Sequence, residues 1–248
     1  MKPKSPDEIK YMRKGGKILA KILSNLKLHS KIGVSEIELD NIAMDLCKSY
    51  SVTPAFLKYK GFPKSLCISI NDKIVHGIPS EYRIKDGDIV SLDYGVIYKG
   101  LYTDAAISFQ VGKKTDEISQ FLDTVKKSRD DGIKVSKVGN FVGDISYAME
   151  QPVNKKGYSV VKELAGHGIG YRLHEDPFIL GYGKKKTGLK LVKNMTLAIE
   201  SMINMGKSDI TEDNDGWTIR SKDHSMSGHF EHTILVTDSN PEILTLLW

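Results

Sequence analysis

Hydrophobic positions recur with two periods along the chain, and each period predicts a type of element. Behind the capping-box sequence Ser5-Pro6-Asp7-Glu8, apolar residues return every three or four positions, which predicts a helix to about residue 26. A second capping box, Ser35-Glu36-Ile37-Glu38, predicts a helix through about Tyr50. The apolar stretches that follow are rich in strand-forming residues and predict strands over 66–70, 89–97 and 101–111.

The second half of the chain repeats this order of elements. Helical spacing predicts a long helix from about Asp116 to Val135 and a shorter one from about Asp144, which Pro152 is expected to interrupt or end. Further strands are predicted over 158–163, 196–203, 217–220 and 230–236. Similar Lys-Ile-Gly and Lys-Val-Gly triplets, 31–33 and 137–139, separate the paired helices. We therefore expect an α+β fold of two related halves, with residues 1–248 forming one domain.

Composition limits the class of protein. Hydrophobic residues make up 40% and charged residues 27% of the 248 positions, as in ordinary globular proteins rather than disordered chains. No apolar run approaches the roughly 18 residues of a membrane span, and the charged first residues do not resemble a secretory signal. Cys47 and Cys67 are too few for a disulfide scaffold, although a single bridge stays open. These features predict a cytoplasmic protein without a membrane partner.

The net charge of +5 is modest, and the basic residues are scattered. Short lysine clusters occur at 155–156 and 184–186. We interpret them as solvated loop tips rather than as a nucleic-acid site, and expect no sequence-specific nucleic-acid partner.

Asp93 and Asp104 lie on the two strands of a predicted hairpin. A two-residue loop at Tyr98-Lys99 would pair Ile97 with Gly100 and place the two aspartates directly opposite each other; a four-residue loop keeps that register, and a three-residue loop needs a bulge. In the even-loop registers the Cβ atoms lie about 5 Å apart on one sheet face. Opposed like charges among strand-forming residues are unfavourable, so a divalent cation is favoured over a solvated edge.

Two glutamates and three histidines extend this pattern. Glu200 lies within the apolar run 196–203, and Glu231 precedes the apolar run 232–236. The histidines that lie beside glycines or turns are His76, His167 and His174. A lone histidine of this kind is usually structural, but together with four strand carboxylates these residues indicate an oxygen-rich site for two metal ions. Such a donor set favours manganese, iron or cobalt over thiolate-bound zinc, so the residues alone indicate a two-metal hydrolase.

A series of segments, in order, resembles methionine aminopeptidases of the short bacterial type I. The segments that carry the resemblance are Phe62-Pro63-Lys64-Ser65-Leu66-Cys67-Ile68-Ser69-Ile70-Asn71, His76-Gly77-Ile78-Pro79, Asp93 with Asp104, Gly166-His167-Gly168-Ile169-Gly170 with His174-Glu175, Ile199-Glu200, and Phe230-Glu231-His232-Thr233. The match extends over nearly the whole chain. We find neither the zinc-binding extension of eukaryotic cytosolic type I enzymes nor the long insertion of type II.

The resemblance implies the pita-bread fold, in which two pseudo-symmetric halves surround a curved antiparallel sheet. It implies two divalent ions (cobalt, manganese, iron or zinc), with Asp93 binding one, His167 and Glu200 the other, and Asp104 and Glu231 bridging both. The ions would activate a water molecule and polarise the scissile carbonyl. Glu200 is also the implied proton shuttle.

The resemblance also implies the substrate contacts. His76 and His174 would position the peptide and stabilise the tetrahedral intermediate, while Tyr59, Phe62 and Trp217 would hold the methionine side chain. The implied activity is removal of the N-terminal methionine from nascent proteins whose second residue is small. Nascent N-termini are the implied partners of a monomer, and contact with the ribosome is left open.

Four positions depart from the common family pattern. Leu173 stands where phenylalanine is frequent, Tyr171 where arginine is common, Ser201 where proline is usual, and Phe56 where a smaller residue often lies. None of them is an implied ligand, so the departures concern the width of the substrate pocket.

Two alternatives remain from the sequence. A proline-directed aminopeptidase of the same fold shares the five ligands, but usually carries a large N-terminal domain that is absent here. An inactive relative that binds ribosomes or nucleic acid belongs to a different class, but such relatives typically lose ligands, and all five positions are intact.

Overall fold

The computed structural model describes residues 1–246, in which helices pack against antiparallel sheets. The four α-helices of this part are α1 (Pro6–His29), α2 (Glu36–Tyr50), α3 (Asp116–Val135) and α4 (Val142–Lys156). The strands are β1 (Thr53–Pro54), β2 (Cys67–Ile70), β3 (Lys73–Val75), β4 (Ile89–Tyr98), β5 (Leu101–Gln110), β6 (Ser159–Val160), β7 (Ala165–Gly168), β8 (Glu175–Leu180), β9 (Thr196–Asn204), β10 (Ile210–Glu212), β11 (Ile219–Ser221), β12 (Ser227–Leu235) and β13 (Glu242–Ile243). None of the helices within these residues is both long and apolar enough to cross a membrane.

The helix starts follow from local capping, as predicted. The Glu8 amide donates to the Ser5 hydroxyl at 3.3 Å, and the Ser5 amide donates to the Glu8 carboxylate at 2.7 Å. Ser35 and Glu38 form the same reciprocal pair at the start of α2. Each box satisfies backbone amides that have no partner within the helix, and so fixes the first helical residue.

The prediction that Pro152 interrupts or ends its helix is wrong. Helix α4 continues through Pro152 to Lys156. A proline removes one hydrogen bond of the helix, but Pro152 is buried, and the α4 backbone is held from α3, where the Ser128 hydroxyl donates to the Met149 carbonyl at 2.7 Å. Packing of the buried face therefore outweighs the lost hydrogen bond.

Two strand predictions also need correction. Only Ser159–Val160 of the predicted strand 158–163 is a strand, and the predicted strand 217–220 is replaced by β11 at Ile219–Ser221. In the second case the Asp215 carboxylate accepts hydrogen bonds from the amides of Trp217 and Thr218, both at 2.8 Å. This turn keeps Trp217 out of the sheet.

The described strands form three sheets, in which all pairings are antiparallel. One has the order β1-β4-β2 with β5 on β4, one is β10-β11-β3, and the largest is β13-β12-β9-β7-β8 with β6 on β9. The first and the largest sheets meet along β5 and β12, where the Asp104 amide donates to the Thr233 hydroxyl at 2.9 Å and that hydroxyl donates to the Asp104 carbonyl at 2.8 Å. These hydrogen bonds join the two sheets along β5 and β12.

The expected duplication is visible in the hydrogen bonds. After α1 the Gly33 amide donates to the Ile84 carbonyl at 2.8 Å, and after α3 the Gly139 amide donates to the Leu191 carbonyl at 3.1 Å. The α1–α2 pair packs on β4 and β5, and the α3–α4 pair packs on β9 and β12. The two helix pairs thus cover the outer faces of the two halves, and this confirms the predicted α+β architecture.

The hairpin register differs from the predicted one. Tyr98 pairs with Leu101 around a two-residue turn, so Asp93 lies opposite Ala106 and Asp104 lies opposite Gly95. The turn residues, 99 and 100, have φ angles of 53° and 79°, and glycine at the second position suits the type I′ turn that matches strand twist. The direct opposition of the two aspartates was therefore wrong, although a shift of two residues keeps both on one face.

Candidate active site

Four acidic side chains from both halves point into one cavity. Asp93 lies on β4 and Asp104 on β5, while Glu200 on β9 pairs directly with Glu231 on β12. The cavity has a volume of about 310 Å³ and is lined by all ten site residues predicted from the sequence: Tyr59, Phe62, His76, Asp93, Asp104, His167, His174, Glu200, Trp217 and Glu231. A larger cavity of about 910 Å³ beside α3 contains none of these residues, so volume alone does not identify the site.

Burial makes ionisation of these acids costly. It raises the pKa of Asp93 and Glu231 well above their ordinary values, with repulsion from the neighbouring carboxylates adding to the effect. The pKa of Asp104 rises to about 7, first because of burial and then because of Glu200. Three of the four acids therefore favour the protonated form unless a positive charge lies among them.

Glu200 behaves differently. Burial raises its pKa, but the hydrogen bond from His229 and the nearby histidines more than offset this, and the pKa falls below its ordinary value. The His229 Nε2 atom lies 3.1 Å from the Glu200 Oε2 atom. Glu200 is therefore the acid of this cluster that stays ionised most readily.

The donor set fits metal ions. The Asp93 Oδ1 and Glu231 Oε1 atoms are shielded from solvent and have no hydrogen-bond partner in the described part of the chain. Ligand atoms of Asp104, His167 and Glu231 all lie within 4.8 Å of one another. Buried oxygens without donors are rare in proteins, and a cation satisfies both them and the excess negative charge.

His167 is oriented for such a role. Its Nδ1 atom lies 2.9 Å from the Gly168 carbonyl oxygen. A carbonyl oxygen can only accept a hydrogen bond, so Nδ1 is the donor of this one. The other nitrogen, Nε2, lies 3.7 Å from the Glu200 Oε1 atom. A histidine that donates one N–H to a carbonyl presents its other nitrogen as a ligand.

His174 lies at the side of this cluster. Its ring centroid is 4.3 Å from that of His167, and its Nδ1 atom is 2.8 Å from the Tyr59 hydroxyl. Burial and the neighbouring His167 lower the pKa of His174 to about 4, so the ring is neutral at pH 7.

The position of His76 is fixed by the close approach of the next residue, Gly77, to the backbone of Ile68. His76 adopts a left-handed φ of 58°, and Gly77 accepts a hydrogen bond from the Ile68 amide at 2.9 Å. A Cβ atom at Gly77 would lie 1.9 Å from the Ile68 carbonyl oxygen, so only glycine fits there. Burial lowers the pKa of His76, which leaves a neutral ring facing the cavity.

Aromatic rings form one wall of the cavity. The ring centroids of Phe62 and Trp217 are 5.2 Å apart with an interplanar angle of 77°, and His76 lies edge-on to Trp217 at 6.4 Å. Of the four departures from the family pattern, Phe56 and Leu173 line the cavity.

The other two departures lie elsewhere. Tyr171 donates from its hydroxyl to Glu8 at 2.9 Å, and Ser201 donates from its hydroxyl to Ser128 on α3 at 2.7 Å. Neither side chain lines the cavity, so of the four departures only Phe56 and Leu173 bear on the width of the pocket.

Sequence reasoning missed His229. It is 2% exposed, lies on β12 and lines the same cavity. Residues two apart on a strand share a face, so its spacing from Glu231 was the available signal. Glu200, to which His229 is hydrogen-bonded, lies on a different strand, so the spacing within β12 could not predict this contact.

Comparisons with known proteins identify the family. Residues 10–238 match the model of metallopeptidase family M24. The methionine aminopeptidase of Clostridium acetobutylicum is 41% identical over 244 residues, covering 98% of each chain. The crystal structure of methionine aminopeptidase from Thermotoga maritima has a TM-score of 0.97 and 38% identity, with complete coverage of both chains.

A prolidase from Pyrococcus furiosus shows how far the fold extends. It has a TM-score of 0.81 but 22% identity, and the match covers 99% of this chain and 66% of the prolidase. That likeness shows the fold alone, and confirms the expected pita-bread architecture. Membership of a metallopeptidase family implies divalent metal ions, and the clustered ligand atoms of Asp104, His167 and Glu231 could hold one. The chain belongs to metallopeptidase family M24 and, within it, to the methionine aminopeptidases.

Proposed function

We propose that this protein hydrolyses the first peptide bond of proteins and peptides that begin with methionine and have a small second residue. One observation carries the proposal. A cluster of buried acids and a histidine, drawn from both halves of the fold, lies in the same cavity as an aromatic wall. The cluster suits hydrolysis, and the wall suits an apolar side chain of the substrate.

We assign two divalent ions to the cluster. Asp93 would bind one, His167 and Glu200 the other, and Asp104 and Glu231 would be shared by both. When bound, such ions polarise the scissile carbonyl and lower the pKa of an attacking water molecule. The oxygen-rich donor set with one imidazole favours manganese, iron or cobalt over a thiolate-bound zinc site, and the shielded oxygens of Asp93 and Glu231 support the assignment.

Glu200 is assigned the transfer of the proton. Because its pKa lies below the ordinary value, it is ionised at neutral pH and can accept a proton from the attacking water. The same carboxyl group can then protonate the leaving amine. His229, which donates to one of its oxygens, would keep the group in place during both steps.

His174 is assigned the stabilisation of the oxyanion. Burial raises the pKa of Tyr59, so its hydroxyl stays protonated and can donate to the His174 Nδ1 atom at 2.8 Å. The neutral ring then carries its proton on Nε2, which is free to donate to an oxygen that gains charge in the transition state. His76, whose ring lies edge-on to Trp217, would contact the substrate beside the aromatic wall.

The aromatic wall is assigned the methionine side chain. The rings of Phe62 and Trp217 pack edge to face, with their centroids 5.2 Å apart. The polarizable sulfur of a thioether packs well against such rings. Tyr59 would close the pocket on the side of His174. The limited volume, about 310 Å³ for substrate and metal ions together, supports the preference for a small second residue.

We also infer that residues 1–248 act as one catalytic domain in the cytoplasm. Both halves supply ligands to one cluster, so neither half would be active alone. Cys47 and Cys67 are both free and buried, as expected for a reducing compartment.

The proposal is tested by metal titration of protein that has been stripped with a chelator. Calorimetry with Mn²⁺ or Co²⁺ should report two ions per chain, and the loaded protein should release methionine from Met-Ala-Ser. Asp93→Asn should lose one ion, whereas the surface control Asp223→Asn should keep both. One ion per wild-type chain would contradict the dinuclear assignment, and an inactive protein with both ions bound would contradict the activity.

A further inference from the structure

His229 is a buried histidine to which none of the expected ligand or substrate-contact roles applies. It lies on β12, two residues before Glu231, and is 2% exposed. Its Nε2 atom is 3.1 Å from the Glu200 Oε2 atom. An imidazole buried at hydrogen-bond distance from a carboxylate makes a charge-assisted contact, which is stronger than a contact between neutral groups.

The carboxylate of Glu200 lies between two imidazoles. Its Oε2 atom lies 3.1 Å from the His229 Nε2 atom, and its Oε1 atom lies 3.7 Å from the His167 Nε2 atom. A glutamate side chain has three rotatable bonds before its carboxylate. Holding one oxygen therefore decides where the other points, and here the second oxygen points to the space beside His167.

The backbone of His229 is fixed from the other half of the fold. The Ser108 hydroxyl on β5 accepts from the His229 amide at 2.8 Å and donates to the His229 carbonyl at 2.8 Å. The Ser91 hydroxyl on β4 lies 2.6 Å from the same Ser108 oxygen. These contacts fix the His229 backbone relative to β5, and burial of the side chain leaves the ring little room to turn, so the ring can serve as an anchor for Glu200.

We propose that His229 is a positioning residue of the metal centre, which orients Glu200 so that its Oε1 atom faces the metal shared with His167. The inference rests on the proposed dinuclear site. Groups that hydrogen-bond to metal-ligating carboxylates set the orientation of the ligand, and losing one commonly lowers metal affinity by about 10–100-fold. His229 is not itself assigned to the metal, because its proton-bearing nitrogen is used by Glu200.

The test compares His229→Leu with His229→Gln. Leucine fills part of the same space without a hydrogen-bond donor, whereas glutamine carries an N–H at a similar reach. Mn²⁺ titration of chelator-stripped protein should show about 10–100-fold weaker binding in His229→Leu for the ion held by His167, with most of the affinity restored in His229→Gln. His232→Leu is the matched control, because His232 is buried on the opposite face of β12, where its Nδ1 atom lies 2.9 Å from the Thr245 hydroxyl oxygen.

Thermal unfolding of each stripped variant tests whether the fold is retained. His232→Leu should lower stability and leave the Mn²⁺ affinity unchanged, which separates a structural defect from a positioning defect. Unchanged affinity in His229→Leu, while the wild type binds two ions and cleaves its peptide, would overturn this inference and leave the proposed function standing. Failure of glutamine to restore the affinity would also overturn it, in favour of direct ligation by His229. A wild-type protein that binds no metal would instead overturn the proposed function.

Discussion

Replacing Asp104 with asparagine is expected to stabilise the metal-free protein above acidic pH. Asp104 is 4% exposed, and burial together with Glu200 raises its pKa from 3.8 to about 7. An acid whose pKa is raised in the folded state opposes folding once it must ionise. The destabilisation begins near pH 4, where the unfolded chain loses its proton, and is complete above pH 7.

The magnitude follows from the shift. About 3 pKa units at roughly 1.4 kcal/mol each give about 4 kcal/mol of destabilisation above pH 7, and almost none at pH 4. Asparagine has no charge to bury. It also keeps an oxygen that can accept from the Ala105 amide, which lies 2.9 Å from the Asp104 Oδ1 atom. Asp104→Asn should therefore be more stable than the wild type at pH 8, by up to about 4 kcal/mol, and of similar stability at pH 4.

Urea unfolding with a chelator present, at pH 4 and pH 8, measures this difference. Asp223→Asn is the control of opposite sign, because the Lys207 amide lowers the pKa of Asp223 to about 2, and its ionised form stabilises the fold at pH 8. With saturating Mn²⁺ the order should reverse, since the wild type gains stability from the bound ions and Asp104→Asn gains little. If Asp104→Asn were less stable than the wild type at pH 8 without metal, the view of this cluster as a repulsive set of buried acids would be refuted.

Three further predictions concern the site and the packing. His174→Ala should lower kcat and kcat/KM together by about 10²–10³-fold with both ions retained, whereas His167→Ala should lose an ion; the metal content after dialysis decides between them, and the reverse pattern would exchange the two roles. Peptides beginning Met-Ala should be cleaved roughly a hundredfold faster than Met-Lys peptides, because a misplaced carbonyl reacts slowly, and equal rates would contradict steric exclusion. Gly16→Ala would place a Cβ atom 2.3 Å from the Leu244 carbonyl oxygen, so urea unfolding should show a loss of about 1–3 kcal/mol rather than the gain of an ordinary helical alanine.

Local signals predicted the helices well. The capping boxes at Ser5 and Ser35 act within four residues, and both helices begin where the boxes place them. The predicted bounds of α3 are also those observed, because its N-cap, Thr115, is local too. The failure at Pro152 shows the limit of such signals, since the contacts that carry the helix through the proline come from α3.

Prediction of the site required contacts between residues that are far apart in the sequence. The sequence identified four carboxylates in unfavourable positions, but the hairpin register depended on the turn at Lys99, whose left-handed φ is not evident from its residue type. The direct pairing of Glu200 with Glu231 joins strands separated by a long connection, and the contact of Glu200 with His229 follows from that pairing. Chemistry of single residues could be predicted from the sequence, whereas pairings across the sheet required the fold.

Release of N-terminal methionine by this protein is proposed to require divalent ions. The most direct test is the release of free methionine from Met-Ala-Ser by chelator-stripped protein before and after addition of Mn²⁺ or Co²⁺, with Ala-Pro supplied in parallel as the substrate of a proline-directed peptidase. We expect methionine release that requires the added metal, and no cleavage of Ala-Pro. Preferential cleavage of Ala-Pro, or intact Met-Ala-Ser in the presence of fully loaded protein, would contradict it.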